Sequence, residues 1–203
     1  MKIIHFSPSG WEANSYLLVS GNEAVLIDAG VPVKKLLDTL ENEGAKLKYI
    51  LLTHGHFDHT VTADKLRDAT GAQLVIHGAD EEMLSDAEKS ALAVFFGRYD
   101  TVRSSDVTIK DGDRLGFGED ELTIIHTPGH SKGSVCCQIG TSLFTGDTLF
   151  NGGYGRFDLH GGDFNTLCAS LSKLKTLDGN LDIYPGHGDS AKLSKALNYL
   201  NFI

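Results

Sequence analysis

The segment HGHFDH at positions 54–59 brings together four side chains of types that commonly bind metal ions: His54, His56, Asp58 and His59. Residues i and i+2 of an extended segment point to the same side, so the imidazoles of His54 and His56 are expected to converge on one point. Asp58 and His59 are expected to face a second point close by. Burying so many polar groups is costly unless something pairs them, so this segment predicts a metal site.

Three further candidate ligands each follow the end of a predicted strand: His130, Asp147 and His187. Open α/β sheets bind their ligands at the carboxyl ends of the strands. A glycine directly precedes each of the three residues and allows the backbone to pass close by. With the first four, they make five imidazoles and two carboxylates. That number is sufficient for two metal ions, and the nitrogen and oxygen set suits zinc, iron or manganese.

The elements that must position these residues alternate between strands and helices. Apolar patterns predict strands at 15–19, 24–27, 48–53, 73–76, 107–115, 122–127, 135–139, 142–145 and 181–184. They predict helices at 33–43, 62–70, 164–177 and 190–200, with helical composition across 80–103. Gly21 and Asn22 are typical of a hairpin turn. The pattern predicts a layered α/β protein with mixed sheets and outer helices. No linker interrupts it, so residues 1–203 are expected to form one domain.

Composition narrows the partners and the compartment. The chain of 203 residues carries a formal net charge of −9, which disfavours nucleic acid and anionic membranes as main partners. Only three cysteines occur, without the spacing of a disulfide framework, and this fits a reducing compartment. No signal peptide or membrane span is recognisable, so a cytoplasmic location and a small-molecule substrate are expected.

Four motifs together resemble the metallo-β-lactamase superfamily: THGHFDHT at 53–60, TPGHSKGS at 127–134, TGDTLF at 145–150 and YPGHGD at 184–189. Within it, the stretch GDTLFNGGYGRFDLHGGD is similar to the glyoxalase II branch, the hydroxyacylglutathione hydrolases, and above all to its short, type II-like members. This resemblance implies an αββα sandwich with two mixed sheets and the metal site at one edge.

The same resemblance implies residue roles. His54, His56 and His130 would hold one metal, while Asp58, His59 and His187 would hold the other. Asp147 would bridge the two ions. A metal-bound hydroxide would attack the carbonyl of a thioester, expected to be S-lactoylglutathione or a related hydroxyacyl thioester, with Asp58 orienting the nucleophile.

Substrate contacts are also implied by the resemblance. Arg156 falls where glyoxalase II enzymes have a basic residue that contacts the glutathione part of the substrate, and Tyr154 lies beside it. The C-terminal helical region of full-length glyoxalase II, however, has no counterpart after His187. The segment 80–103 is expected to cover the site instead.

Three other functions remain open. A persulfide dioxygenase on a similar scaffold would use one iron, held by residues matching His54, His130 and Asp147. A nuclease of the same superfamily is disfavoured by the net charge. A protein that binds metal without turnover is disfavoured by the intact ligand set.

Overall fold

The computed structural model describes residues 1–200, and its centre is a pair of six-stranded sheets. The first sheet holds its strands in chain order: β1 (Lys2–Phe6), β2 (Ser15–Ser20), β3 (Glu23–Ile27), β4 (Lys46–Leu51), β5 (Gln73–His77) and β6 (Val107–Ile109). Strands β1 to β3 run antiparallel, and β3 to β6 run parallel. The predicted hairpin is confirmed, because Ser20 pairs with Glu23 across Gly21 and Asn22.

The second sheet contains the remaining strands, in the spatial order β12-β11-β10-β9-β8-β7. They are β7 (Arg114–Phe117), β8 (Asp120–His126), β9 (Val135–Ile139), β10 (Ser142–Gly146), β11 (Asp182–Pro185) and β12 (Ala191–Lys192). Only β10 and β11 are parallel among these pairs of described strands. Both sheets are therefore mixed, as the sequence predicts.

Helices lie against the outer faces and in the loops. They are α1 (Val33–Glu43), α2 (Phe57–Thr60), α3 (Ala63–Thr70), α4 (Glu81–Leu84), α5 (Leu92–Phe96), α6 (Phe164–Leu174) and α7 (Leu193–Leu197). Helix α1 has its predicted bounds: it follows Pro32, and Gly44 ends it with a left-handed φ of 62°. Within residues 1–200, no helix is long and apolar enough to cross a membrane.

Three apolar clusters hold four layers together. Strand β3 shows the principle, because Val25 and Ile27 face the second sheet while Ala24 and Leu26 face the outer helices. The cluster between the sheets joins them face to face. A second cluster lies under α1 and α3, and a third lies under α6 and α7. The result is the expected αββα sandwich.

Some predicted elements differ from the structure. The strand predicted at 107–115 is wrong: it is two strands, β6 and β7, in different sheets. A turn separates them, in which Gly112 has a φ of 80° and the Asp113 carboxylate accepts from the backbone of Lys110. The helix predicted at 190–200 is reduced to α7 after the short β12. The segment 80–103 contains only α4, α5 and turns.

Candidate metal centre

The first sheet supplies four of the seven predicted ligands from the end of β4. Beyond this strand the backbone stays extended, and His56 has φ −70° and ψ 149°. Helix α2 then begins at Phe57 and carries Asp58 and His59 in a single turn. The rings of His54, His56 and His59 are almost completely buried.

The second sheet supplies the other three ligands from three separate strand ends. His130 follows β8, Asp147 follows β10, and His187 follows β11. The two groups meet because backbone bonds join the sheets here: the amide of Val135 donates to the oxygen of Thr53 at 2.9 Å, and the amide of Asn14 donates to Gly186 at 2.8 Å. The structure therefore brings together all seven residues.

The seven side chains fall into two groups of three around a shared carboxylate. In the first group, His130 Nε2 lies 3.1 Å from His54 Nε2 and 2.8 Å from His56 Nδ1. In the second, Asp58 Oδ2 lies 3.0 Å from His187 Nε2 and 3.8 Å from His59 Nε2. These are the two sets that the sequence resemblance implies.

Asp147 lies between the two groups. Its Oδ1 is 3.3 Å from His59 Nε2, and its Oδ2 is 3.6 Å from His187 Nε2 and 3.7 Å from His130 Nε2. Gly186 allows this approach, since a Cβ there would overlap the Asp147 carboxylate and the His59 ring. The Asp147 carboxylate thus contacts histidines of both groups.

Hydrogen bonds on the outer side of the imidazoles fix which nitrogen faces the centre. Nδ1 of His130 donates to the backbone oxygen of Arg156 at 2.6 Å, and Nδ1 of His59 donates to Asp28 Oδ2 at 2.8 Å. Nδ1 of His54 donates to Thr53 Oγ1 at 3.2 Å, and Thr53 in turn donates to Asp28. In its neutral form each of these rings therefore carries its one proton on Nδ1 and presents a lone pair on Nε2 to the centre.

The donor atoms fit a metal ion. Among residues 1–200, four buried side-chain nitrogen or oxygen atoms lack a hydrogen-bond partner, and two of them, His59 Nε2 and Asp147 Oδ1, are candidate ligand atoms that face each other at the centre. Buried polar atoms are almost always paired, so their concentration here indicates a missing partner of positive charge. Imidazole nitrogens and carboxylate oxygens are suitable ligands for zinc, iron or manganese.

The protonation states of four candidate ligands also fit a metal site. Burial lowers the pKa of His56 to about 3, with a smaller contribution from His130, and burial likewise lowers the pKa of His54. Burial alone would raise the pKa of Asp147, but His59 and His130 hold it well below the ordinary range. Asp58 has a lowered pKa as well, since His59 and His187 outweigh its burial. Neutral imidazoles and ionised carboxylates are the forms that bind metal. Burial alone would lower the pKa of His59 and of His187, but the neighbouring carboxylates raise both, so a metal ion there must displace their protons.

Two buried aspartates that the sequence analysis did not assign support the centre. Asp28, at the end of β3, orients His59 directly and His54 through Thr53. Asp80 accepts from the backbone of Gly55 at 3.1 Å and of Gly133 at 2.6 Å, so it ties the loop of His54 to the loop of His130. Asp28 directly follows β3 just as Asp147 directly follows β10. This similarity is the sequence signal that pointed to Asp28.

The centre opens into a cavity of about 420 Å³. Its lining includes five of the seven candidate ligands: His56, Asp58, His130, Asp147 and His187. Arg156 also lines it and forms a two-point ion pair with Asp158 at 2.7 and 2.9 Å. Tyr154 lies outside this lining and packs against the cluster under α6, where its ring is 6.3 Å from that of Phe164. Its substrate role stays a prediction.

Comparison with known sequences and structures identifies the family. The profile of the Metallo-beta-lactamase superfamily matches residues 9–187. The probable metallo-hydrolase YqgX of Bacillus subtilis is 34% identical over 87% of this chain and 85% of its own. A hydroxyacylglutathione hydrolase of Anaeromyxobacter dehalogenans is 35% identical over 90% of this chain but only 64% of the enzyme.

Two solved structures share the whole fold. BLEG-1, described as a B3 metallo-beta-lactamase, superposes with a TM-score of 0.91 at 30% identity, over 99% of both chains. TTHA1623, solved in a di-iron-bound form, superposes with a TM-score of 0.86 at 32% identity, over 100% of both chains. The chain belongs to the metallo-β-lactamase superfamily, a group of metallo-hydrolases that bind divalent metals.

Proposed function

We propose that the protein is a dinuclear metal-dependent hydrolase that cleaves a thioester, either S-lactoylglutathione or a related hydroxyacyl thioester. In this proposal His54, His56 and His130 hold one ion, and Asp58, His59 and His187 hold the other. Zinc is the expected metal, with iron and manganese as alternatives. The observation that carries the proposal is the meeting of two three-residue groups at Asp147, at the base of an open cavity.

Divalent ions bound there would make hydroxide available near neutral pH and would polarise a carbonyl group. The protein's part is to orient the reacting groups. Asp58 lies at the cavity wall, where its Oδ2 accepts from His187 Nε2 at 3.0 Å. From this position its carboxylate can orient the attacking nucleophile. Asp28 and Thr53 keep two of the imidazoles turned toward the centre.

The choice of a thioester follows from the leaving group. The carboxyls of the cavity, Asp58 and Asp147, both have a lowered pKa and so are ionised near neutral pH. Neither can therefore serve as a strong general acid. A thiol has a pKa of about 8.5 and leaves as thiolate without being protonated, whereas an amine or alkoxide needs a proton.

Arg156 is the proposed contact for a carboxylate on the substrate. Its guanidinium faces the cavity but is already paired with Asp158. A substrate carboxylate must therefore compete with Asp158 or bind the free edge of the guanidinium. The relative named hydroxyacylglutathione hydrolase supports this class of substrate, although the present chain matches only 64% of that enzyme.

Thiol release from S-lactoylglutathione by the metal-loaded chain tests the proposal. We expect catalytic turnover in the wild type, and we expect Asp147→Ala to lose activity and most of its bound metal together. His160→Ala is the matched control, because His160 pairs with Glu82 at 3.0 Å outside the centre and should keep both.

Two results would contradict the proposal. One is full turnover in Asp147→Ala, which would show that the bridging carboxylate is dispensable. The other is a wild-type protein that holds one iron per chain, consumes oxygen with glutathione persulfide and leaves thioesters intact.

A further inference from the structure

One wall of the cavity is made of aromatic rings from three separate parts of the chain. Trp11 comes from the loop after β1, Phe57 from the start of α2, and Phe95 and Phe96 from α5. The ring of Trp11 lies 5.1 Å from Phe57 and 5.4 Å from Phe96, and Phe57 lies 5.9 Å from Phe95. Together these four residues form the aromatic wall of the cavity.

The aromatic wall is exposed to an unusual degree for large apolar side chains. Trp11 is 41% exposed, Phe95 is 49% and Phe96 is 48%. Single exposed apolar residues are normal, but a contiguous exposed patch in a concave site marks a binding surface. Covering these rings with an apolar group removes apolar surface from water and so favours binding.

The position of the wall is fixed by the backbone rather than by flexible side chains alone. The amide of Phe57 donates to the oxygen of Ser90 at 3.0 Å, which ties α2 to the segment before α5. Ala91 then takes a left-handed φ of 69°, and this turns the chain so that α5 faces the cavity. A non-glycine residue in this conformation is strained, and such strained residues are common at functional sites.

The wall begins directly beside the metal centre. Phe57 stands in the chain between the candidate ligands His56 and Asp58. The acyl chain and the thiol sulfur are both bonded to the reacting carbonyl carbon, so a substituent on either side of that carbon is close enough to reach Phe57. The charge of the lining distinguishes the two sides.

The charges of the cavity agree with an apolar occupant. Among the lining residues described, Arg156 is the one cationic side chain besides the histidines, and Asp158 neutralises it. The guanidinium also lies over the Phe95 ring, 5.3 Å from its centroid, which holds that ring in place. Glutathione carries two carboxylates, and Arg156 can bind at most one of them, in competition with Asp158, so the lining suits an apolar acyl group better than it suits this carrier.

We propose that the acyl group of the substrate carries an aromatic or bulky apolar side chain, which the aromatic wall binds. This inference rests on the proposed thioesterase function and names its substrate class. Specificity would then come from the acyl group rather than from the thiol carrier.

The test compares S-mandeloylglutathione with S-lactoylglutathione on the metal-loaded protein. The two thioesters differ only by a phenyl in place of a methyl group, and each kcat/KM is divided by the rate of uncatalysed alkaline hydrolysis. Because burial of an aromatic group favours binding by about 1.5–3 kcal/mol, we expect a preference for the mandeloyl ester of about tenfold or more.

Variants locate the preference. Phe95→Ala and Phe96→Ala should each lower the mandeloyl-to-lactoyl ratio severalfold, and Trp11→Ala should do the same. Val94→Ala is the matched control: it lies on the same helix, is 64% exposed and does not line the cavity, so its ratio should equal that of the wild type.

A binding measurement gives a readout other than turnover. Trp11 is the single tryptophan of the chain, so its fluorescence reports occupancy of the wall. Mandelate should change its emission at concentrations where lactate does not, and Phe96→Ala should weaken this response.

The outcomes separate the two proposals. If neither thioester is hydrolysed, the thioesterase function fails, and this inference fails with it. If both are hydrolysed at equal normalised rates, or if the ratio survives in the wall variants, only the inference on the acyl group fails. A preference that instead follows the size of the thiol, with mandelate leaving Trp11 emission unchanged, would likewise overturn it.

Discussion

Asp28 connects two of the candidate ligands to the end of β3. Its carboxylate accepts from His59 Nδ1 at 2.8 Å and from Thr53 Oγ1 at 2.9 Å, and Thr53 contacts His54. Asp28 is almost fully buried and has a left-handed φ of 57°. Asparagine and aspartate tolerate this conformation better than other side chains, so Asp28→Asn removes the charge without new backbone strain.

Asp28→Asn is expected to weaken metal binding about 10- to 100-fold, the usual effect of losing a carboxylate that orients a ligand histidine. Competition with a chromophoric chelator measures this change. Asp38→Asn is the control, since Asp38 pairs with Lys34 on the exposed side of α1 at 2.6 Å. Unchanged affinity in Asp28→Asn would show that the hydrogen bond to His59 is not needed.

The seven ligand candidates could be predicted from sequence because each follows a strand of recognisable pattern. Asp28 follows a strand as well, but its sequence does not show that it contacts His59 and Thr53 instead of a metal ion. Asp80 could not be predicted, because its role depends on which loops lie beside it. The carboxylate of Asp80 joins Gly55 to Gly133, residues 78 positions apart, and no local pattern encodes that contact. The aromatic wall was missed for the same reason, since its rings come from distant segments.

At the scale of elements, the turn that carries His130 packs against α6. Gly129 has a φ of 129°, and a Cβ there would overlap the backbone of Leu167. The first turn of α6 therefore lies against the turn itself, and Asp163 caps the helix by accepting from the amide of Thr166 at 2.7 Å. Placement of His130 thus depends on the docking of α6.

Gly129→Ala is expected to lower the free energy of unfolding by about 3 kcal/mol or more, as overpacking adds to backbone strain. Gly140→Ala is the matched control, because Gly140 also has a positive φ, of 53°, but meets no atom within 4 Å. It should cost about 1–2 kcal/mol. Denaturant titration compares the two, and equal losses would contradict the close packing against α6.

Helices that are bounded by proline or glycine could be predicted well from the sequence, whereas the junctions between elements could not. Pro32 and Gly44 bound α1 at its predicted residues. The residues from Val107 to Leu115 have the pattern of one continuous strand. Their composition does not show that the chain passes from one sheet to the other at Gly112. That crossing is set by the packing of the two sheets.

At the scale of the whole molecule, each sheet carries part of the metal centre. The first sheet provides His54 to His59, and the second provides His130, Asp147 and His187. Tyr16 helps to hold them together, as its hydroxyl donates across the gap to the oxygen of Pro185 at 2.8 Å. A metal ion that binds both sheets binds only the folded chain, and it must therefore stabilise the fold.

Removal of metal is accordingly expected to lower the melting temperature. Free metal at 100 times its Kd contributes about 2.7 kcal/mol, which corresponds to roughly 5–10 °C for a chain of this length. Calorimetry before and after chelation, followed by restoration of zinc, measures the shift. The same treatment of Asp147→Ala should produce a smaller shift, and an unchanged melting temperature in the wild type would contradict a site shared by both sheets.

The most direct measurement is the metal content of the purified chain after incubation with zinc, iron or manganese and removal of free ion. Two divalent ions per chain are expected, falling sharply in Asp147→Ala. A folded wild-type chain that retains no divalent metal under any of these conditions would contradict the central claim.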